Sequence, residues 1–99
     1  ANQEDHVSMA TFAARRLRYM SENTRGVLAI ELLAAAQGLD FRTPLQPSTA
    51  VAMAKAELRN IVTFYDKDRY FSPDIENSVD LLSSASFNRL LPQGMLPSF

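Results

Sequence analysis

No cysteine and no tryptophan occur in the 99 residues, and there are only three glycines and one histidine. Without cysteine there is no disulfide framework, no zinc ribbon and no thiol nucleophile, and one histidine cannot build a multi-histidine metal site. A reducing, cytoplasmic setting fits this composition. Excess charge of either sign is missing as well: ten Lys and Arg stand against eleven Asp and Glu, a formal net charge of -1. The basic surplus that attracts nucleic acid or an anionic membrane is absent, and neither partner is expected. The longest nearly apolar stretch, Val27 to Ala36, is interrupted by Glu31 and falls well short of the ~20 residues that span a bilayer. No charged-then-apolar leader opens the chain, so a soluble protein is expected.

What is present favours helix. Apolar residues make up 46% of the chain, in Ala-rich and Leu-rich tracts rather than the alternating Val, Ile, Thr and aromatic patterns of a sheet. The fold class expected is all-α. A chain this short makes one small domain, which buries only about two-thirds of its unfolded surface.

Val7, Ala10, Ala14 and Leu17 recur at spacings of three and four and form one helical stripe. Ser21-Glu22-Asn23-Thr24 are weaker helix formers, and Gly38 suits a left-handed C-terminal cap. Two readings stay open here: helices at about 5–21 and 23–37 with a break between them, or one long helix carrying a defect. Pro44 and Pro47 deny helix to the residues before them, so 40–48 is a loop. A further helix is expected over 48–65 on the stripe Val51, Ala54, Leu58, Ile61 and Tyr65, capped by Ser48 or Thr49. Asp66-Lys67-Asp68 makes a polar turn, and Ser72-Pro73 opens a helix over 73–83 with Asp74 and Glu76 near its positive end. Its stripe is Ile75, Val79 and Leu82, and a short helix over 86–91 follows before Pro92-Gln93-Gly94. The segment Val27 to Ala36 is apolar nearly all round, as in a helix buried on several sides. A 99-residue monomer lacks the mass to surround it, which points to a larger assembly.

The densest polar cluster is Asn2-Gln3-Glu4-Asp5-His6. Two carboxylates, an imidazole and two amides could supply acid-base groups or grip a cation. The plainer reading is a helix-capping segment, since carboxylates are favoured at helix N-termini. His6 has the same pair of readings, general base or hydrogen-bonded structural group. Arg15, Arg16, Arg18 and Arg25 read as a solvated or inter-subunit ion-pairing face, with anion binding as the alternative. Asp66, Asp68 and Asp74 lack the pattern of a calcium loop. Tyr65, Tyr70 and Phe71 read as packing groups at a helix junction.

Three strings carry a resemblance: Asn2-Gln3-Glu4-Asp5-His6-Val7-Ser8-Met9, then Glu22-Asn23-Thr24-Arg25-Gly26-Val27-Leu28-Ala29-Ile30-Glu31, then Asp68-Arg69-Tyr70-Phe71-Ser72-Pro73-Asp74-Ile75. In this order they resemble the C-terminal part of the histidine ammonia-lyases, within the aromatic amino acid ammonia-lyase family, and the likeness covers essentially the whole chain. Family members acting on phenylalanine carry NQDVNS at the place of the first string.

The resemblance implies a C-terminal helical segment of an aspartase/fumarase-like helical-bundle enzyme, a cytoplasmic homotetramer with active sites built from several subunits. The reaction implied is elimination of ammonia from L-histidine to give trans-urocanate in histidine catabolism. Glu4 matches the family's active-site glutamate beside the bound histidine, as a contact to its imidazole or amino group or as a proton acceptor. Gln3 and His6 are candidates for supporting Glu4.

The family's cofactor is a methylidene-imidazolone prosthetic group formed from an Ala-Ser-Gly tripeptide. Here Gly26, Gly38 and Gly94 follow Arg25, Gln37 and Gln93, so the group is expected from the remainder of the same polypeptide, and these 99 residues alone are expected to be inert. The competing readings are a tyrosine ammonia-lyase or aminomutase fragment and a non-catalytic helical oligomerisation module.

Overall fold

Long stretches of good helix formers, broken by a loop with Pro44 and Pro47 and by a proline-free connection ahead of Ser72-Pro73, produce three α-helices and one 3₁₀ turn. The computed structural model describes residues 6–95. Helix α1 spans Ala10–Asp40, α2 Thr49–Arg59 and α3 Ser72–Ser83, and the 3₁₀ turn covers Ser86–Leu90. Among the described residues there is no strand, and no helix is long and apolar enough to cross a membrane.

The two-helix reading of 5–21 and 23–37 does not hold: α1 is continuous for 31 residues, about 46 Å at 1.5 Å per residue. Its weak tract is bridged by local bonds. Thr24 Oγ1 donates to the Met20 carbonyl at 2.8 Å, and Arg18 pairs with Glu22 one turn on at 3.1 Å. Nor does Gly38 cap the helix in the left-handed region, because among the described glycines only Gly94 has positive φ. The helix runs through Gly38 and closes by tightening, with Phe41 N–H donating to Gln37 O and Arg42 N–H to Leu39 O.

Helix α2 ends six residues before the expected 65, at Arg59. The next residues include Ile61, Val62 and Thr63, three β-branched side chains in a row that disfavour helix. Leaving the helix turns Val62 inward to 1% exposure while Ile61 stays 44% exposed. The stripe drawn through Ile61 and Tyr65 therefore overshoots the helix, and Leu58 with Val62 carries the packing.

The core is small: Leu33 and Ala36 of α1 meet Leu58 and Val62, flanked by Leu32, Ile75 and Leu81. Helix α1 packs mainly on α3. Ala29, Ala36 and Ser78 are all buried, and such small residues let helix backbones approach closely. The inward face of α3 is thus centred on Ser78 rather than on the apolar stripe alone. Its buried hydroxyl donates to the Asp74 carbonyl at 2.7 Å. Glu57 of α2 pairs with Arg89 and ties the 3₁₀ turn to the bundle.

Only the C-terminal part of α1 is covered. Phe12, Leu17, Met20, Val27 and Leu28 are all exposed, and the molecule extends 73 × 37 × 19 Å with a radius of gyration of 19.3 Å, against about 13 Å for a compact chain of this length. The stripe of Ala10, Ala14 and Leu17 lies uncovered.

The helical position of Gly38 generates a test. A Cβ built there meets nothing within 4 Å, so Gly38→Ala is expected to stabilise the 99-residue chain by about 0.5–1 kcal/mol. Urea unfolding followed by circular dichroism measures it. Destabilisation would return Gly38 to the left-handed cap.

Candidate functional site

Of the three residues singled out for a site, Glu4 and Gln3 lie outside the described residues, as does Asp5. His6 is described and exposed, in the non-helical stretch ahead of α1. That stretch ends at Met9, whose side chain makes no cap bond, and the first turn of α1 holds no acidic residue. The Ala10 N–H instead reaches Ser8 Oγ at 3.4 Å. Among the described residues no carboxylate caps the start of α1; Glu4 and Asp5, on which that reading rested, lie outside them.

Arg15, Arg16, Arg18 and Arg25 are exposed along α1, with Arg18 in its pair to Glu22. Tyr65 and Phe71 pack as expected, ring centroids 4.8 Å apart and edge to face, whereas Tyr70 is 81% exposed and does not join them.

The structure assembles a polar centre that residue-by-residue reading of the sequence passed over. Gln37 and Asp40 share a face of α1 at a spacing of three, and Lys55 and Arg59 share a face of α2 at a spacing of four. Asp40 Oδ1 accepts from Lys55 Nζ at 2.8 Å. Asp40 Oδ2 accepts from Arg59 Nη2 at 2.7 Å and Nε at 3.0 Å. The same guanidinium donates to Gln37 Oε1 at 3.2 Å and to the Val62 carbonyl at 3.2 Å. Gln37 Nε2 then donates to the Tyr65 carbonyl at 2.8 Å. The paired i,i+3 and i,i+4 spacings of opposite polarity were the sequence signal for this centre.

The Asp40 carboxyl is held below the usual carboxylate range, first by the Lys55 hydrogen bond. Partial burial opposes this, while the bond and charge of Arg59 and the charge of Lys55 reinforce it. Chemically the centre is a saturated ion-pair network. Its carboxylate is stabilised in the charged form and poorly suited to accept a proton near neutrality.

A second cluster lies downstream. Arg69 Nε donates to Asp74 Oδ2 at 2.9 Å, and its guanidinium carbon sits 5.5 Å from the Tyr65 ring centroid and 5.7 Å from that of Phe71. Asp74 is thus engaged by an arginine, while Asp66 and Asp68 are exposed. Tyr65 and Phe71 also line an apolar groove of about 260 Å³ with Ile30, Leu33, Ala34 and Ile75.

Among the described residues these features define an all-helical segment whose partly buried charged groups Asp40, Lys55, Arg59, Arg69 and Asp74 hold its elements together and whose apolar faces are incompletely covered. Residues 1–60 match the family described as aromatic amino acid lyase, and the chain belongs to that family. The histidine ammonia-lyase of Shewanella woodyi is 81% identical over 99 residues, covering all of this chain and 19% of that protein. That of Shewanella oneidensis is 81% identical over 98 residues and that of Vibrio cholerae 67% over 98, each covering 99% of this chain and 19% of the relative. The chain thus spans about a fifth of the length of the curated relatives it matches.

The lowered Asp40 value fixes the sign of a pH effect. Its stabilising contribution is complete above the ordinary carboxylate value of about 4 and is lost as pH falls through the lower folded value. Asp40→Asn is expected to cost about 1–3 kcal/mol at pH 7 by leaving Arg59 and Lys55 underpaired. It is also expected to flatten the acid limb of stability. Urea unfolding at pH 7 and pH 3 checks both, and unchanged stability at pH 7 would contradict the network's role.

Proposed function

We propose that this chain is the C-terminal helical part of a histidine ammonia-lyase, which eliminates ammonia from L-histidine to give trans-urocanate in histidine catabolism. The observation that carries this reading is identity of 65% to 81% over 98 or 99 residues with proteins named histidine ammonia-lyase. Activity, substrate and partners then belong to a longer polypeptide.

In that enzyme Glu4 acts in the active site. A carboxylate beside the substrate forms a charge-assisted hydrogen bond with the amino group or the imidazole, or accepts a proton during elimination. Gln3 and His6, its near neighbours in sequence, are assigned to orienting it. The family's methylidene-imidazolone supplies the electrophile when formed, but the residues here do not fit its formation. No glycine among them follows Ala-Ser, and Gly26 and Gly38 lie within α1. The group therefore comes from elsewhere in the longer polypeptide.

Assembly as a homotetramer is the reading that the uncovered apolar residues of α1 support, among them Phe12, Leu17 and Met20, and a cytoplasmic setting is the one that the cysteine-free sequence supports. Exposed apolar stripes at helical spacing are what partner helices cover.

In the intact enzyme Glu4→Ala is expected to lower turnover of histidine by about 10²–10⁴-fold while size-exclusion chromatography shows the same assembly. Wild-type turnover in that variant would remove Glu4 from the site. Ammonia release from histidine, tyrosine and phenylalanine, assayed in parallel, is expected with histidine alone. Release from tyrosine would favour a tyrosine ammonia-lyase or aminomutase, and release from none the oligomerisation module.

A further inference from the structure

The connection between α2 and α3, Asn60 through Phe71, has no regular structure. Among the described residues, no amide from Thr63 to Phe71 donates to another backbone carbonyl. Side chains hold the segment instead. Arg59 Nη1 donates to the Val62 carbonyl at 3.2 Å, Arg69 Nη2 to the Thr63 carbonyl at 3.1 Å, and Gln37 Nε2 to the Tyr65 carbonyl at 2.8 Å. Two of these three donors belong to flanking helices, and they are joined to each other because Arg59 Nη2 also donates to Gln37 Oε1 at 3.2 Å. Gln37 is 5% exposed, so both ends of its amide are committed in a site largely closed to water.

Beyond Tyr65 the segment is internally braced. Arg69 lies against the Tyr65 and Phe71 rings, bonds Thr63 at both its hydroxyl and its carbonyl, and is tied to Asp74 of α3. The segment thus has an internal brace, a tie to α3 at its far end through Asp74, and a latch to α1 through Gln37. Tyr65 forms part of the wall of the apolar groove between α1 and α3.

We propose that Thr63–Phe71 is a latched strap that opens as one unit when Gln37, itself held by Arg59, releases the Tyr65 carbonyl, while Val62 stays in the core. Opening removes the Tyr65 wall and exposes the groove lined by Ile30, Leu33 and Ile75. The helices on either side keep their own backbone ladders during this event: the Asn60, Ile61 and Val62 amides stay bonded to the Ala56 and Leu58 carbonyls of α2, no amide from Thr63 to Phe71 donates to a ladder, and only the Phe71 carbonyl, at the end of the strap, accepts from one, from the Ile75 N–H at 3.0 Å. An element without a ladder, held by a few side-chain bonds, opens at a lower free energy than the helices it connects. Thr63, just past the core residue Val62, and Phe71, at the start of α3, are the hinges.

Native-state amide hydrogen exchange on the intact protein under low urea is the test. Amides from Thr63 to Phe71 are expected to share one opening event, at least about tenfold more frequent than that of the Val79–Leu82 amides of α3. Merging of the two groups into one event would overturn the strap. In Gln37→Leu, and separately in Arg59→Lys, which keeps a cation beside Asp40, the strap amides are expected to exchange about tenfold faster with α3 unchanged. Unchanged strap exchange, or equal acceleration in all three helices, would overturn the latch.

Discussion

The corner between α1 and α2 is positioned through one carboxylate. Asp40 stands at the last turn of α1 and is shared by Lys55 and Arg59 of α2, so the angle at which the chain returns across α1 is set by two charge-assisted contacts. Partial desolvation strengthens these contacts and raises the penalty for leaving any member unpaired. Arg59 spreads the constraint further. Its planar fork reaches the carboxylate, the Gln37 amide and the Val62 carbonyl at once, which a lysine point charge cannot do. The apolar core of Leu33, Ala36, Leu58 and Val62 closes directly beneath this network. Non-directional burial of so few side chains does not fix a helix crossing by itself.

The same constraint divides the molecule. Where α1 meets α2 and α3 it is covered and pinned, and towards its N-terminus it carries exposed Phe12, Leu17 and Met20 with no partner among the described residues. An isolated helix of this kind is marginal in water, and most of its stability comes from packing. The uncovered half and the thin core share one physical cause. These residues correspond to about 19% of the length of their histidine ammonia-lyase relatives, and their apolar faces are proportioned for a larger body.

The all-α class, the loop around Pro44 and Pro47 and the helix opening at Ser72-Pro73 were legible in the sequence because each rests on a local rule of composition or backbone geometry. Two misreadings came from treating local preference as decisive. The weak tract at Ser21–Thr24 did not break α1, since Thr24 and Glu22 make compensating bonds within the helix. The stripe through Ile61 and Tyr65 looked helical by spacing, but the β-branched run Ile61-Val62-Thr63 ended α2 first. The role proposed for Glu4, with Gln3 and His6 beside it, rests on the family resemblance alone, since spacing left the string between catalysis and capping. The Asp40 centre was hidden because its members are separated by up to 28 positions, and only the folded chain brings them together.

The central claim is that the Asp40 corner and its core hold this chain together while the N-terminal half of α1 depends on outside contacts. Residue-resolved hydrogen exchange on the isolated 99-residue chain, at a concentration where it is monomeric, tests this directly. The account predicts protection of α1 amides from about Leu33 to Asp40 and little from Ala13 to Arg25. Uniform protection along the whole of α1 in the monomer would contradict it.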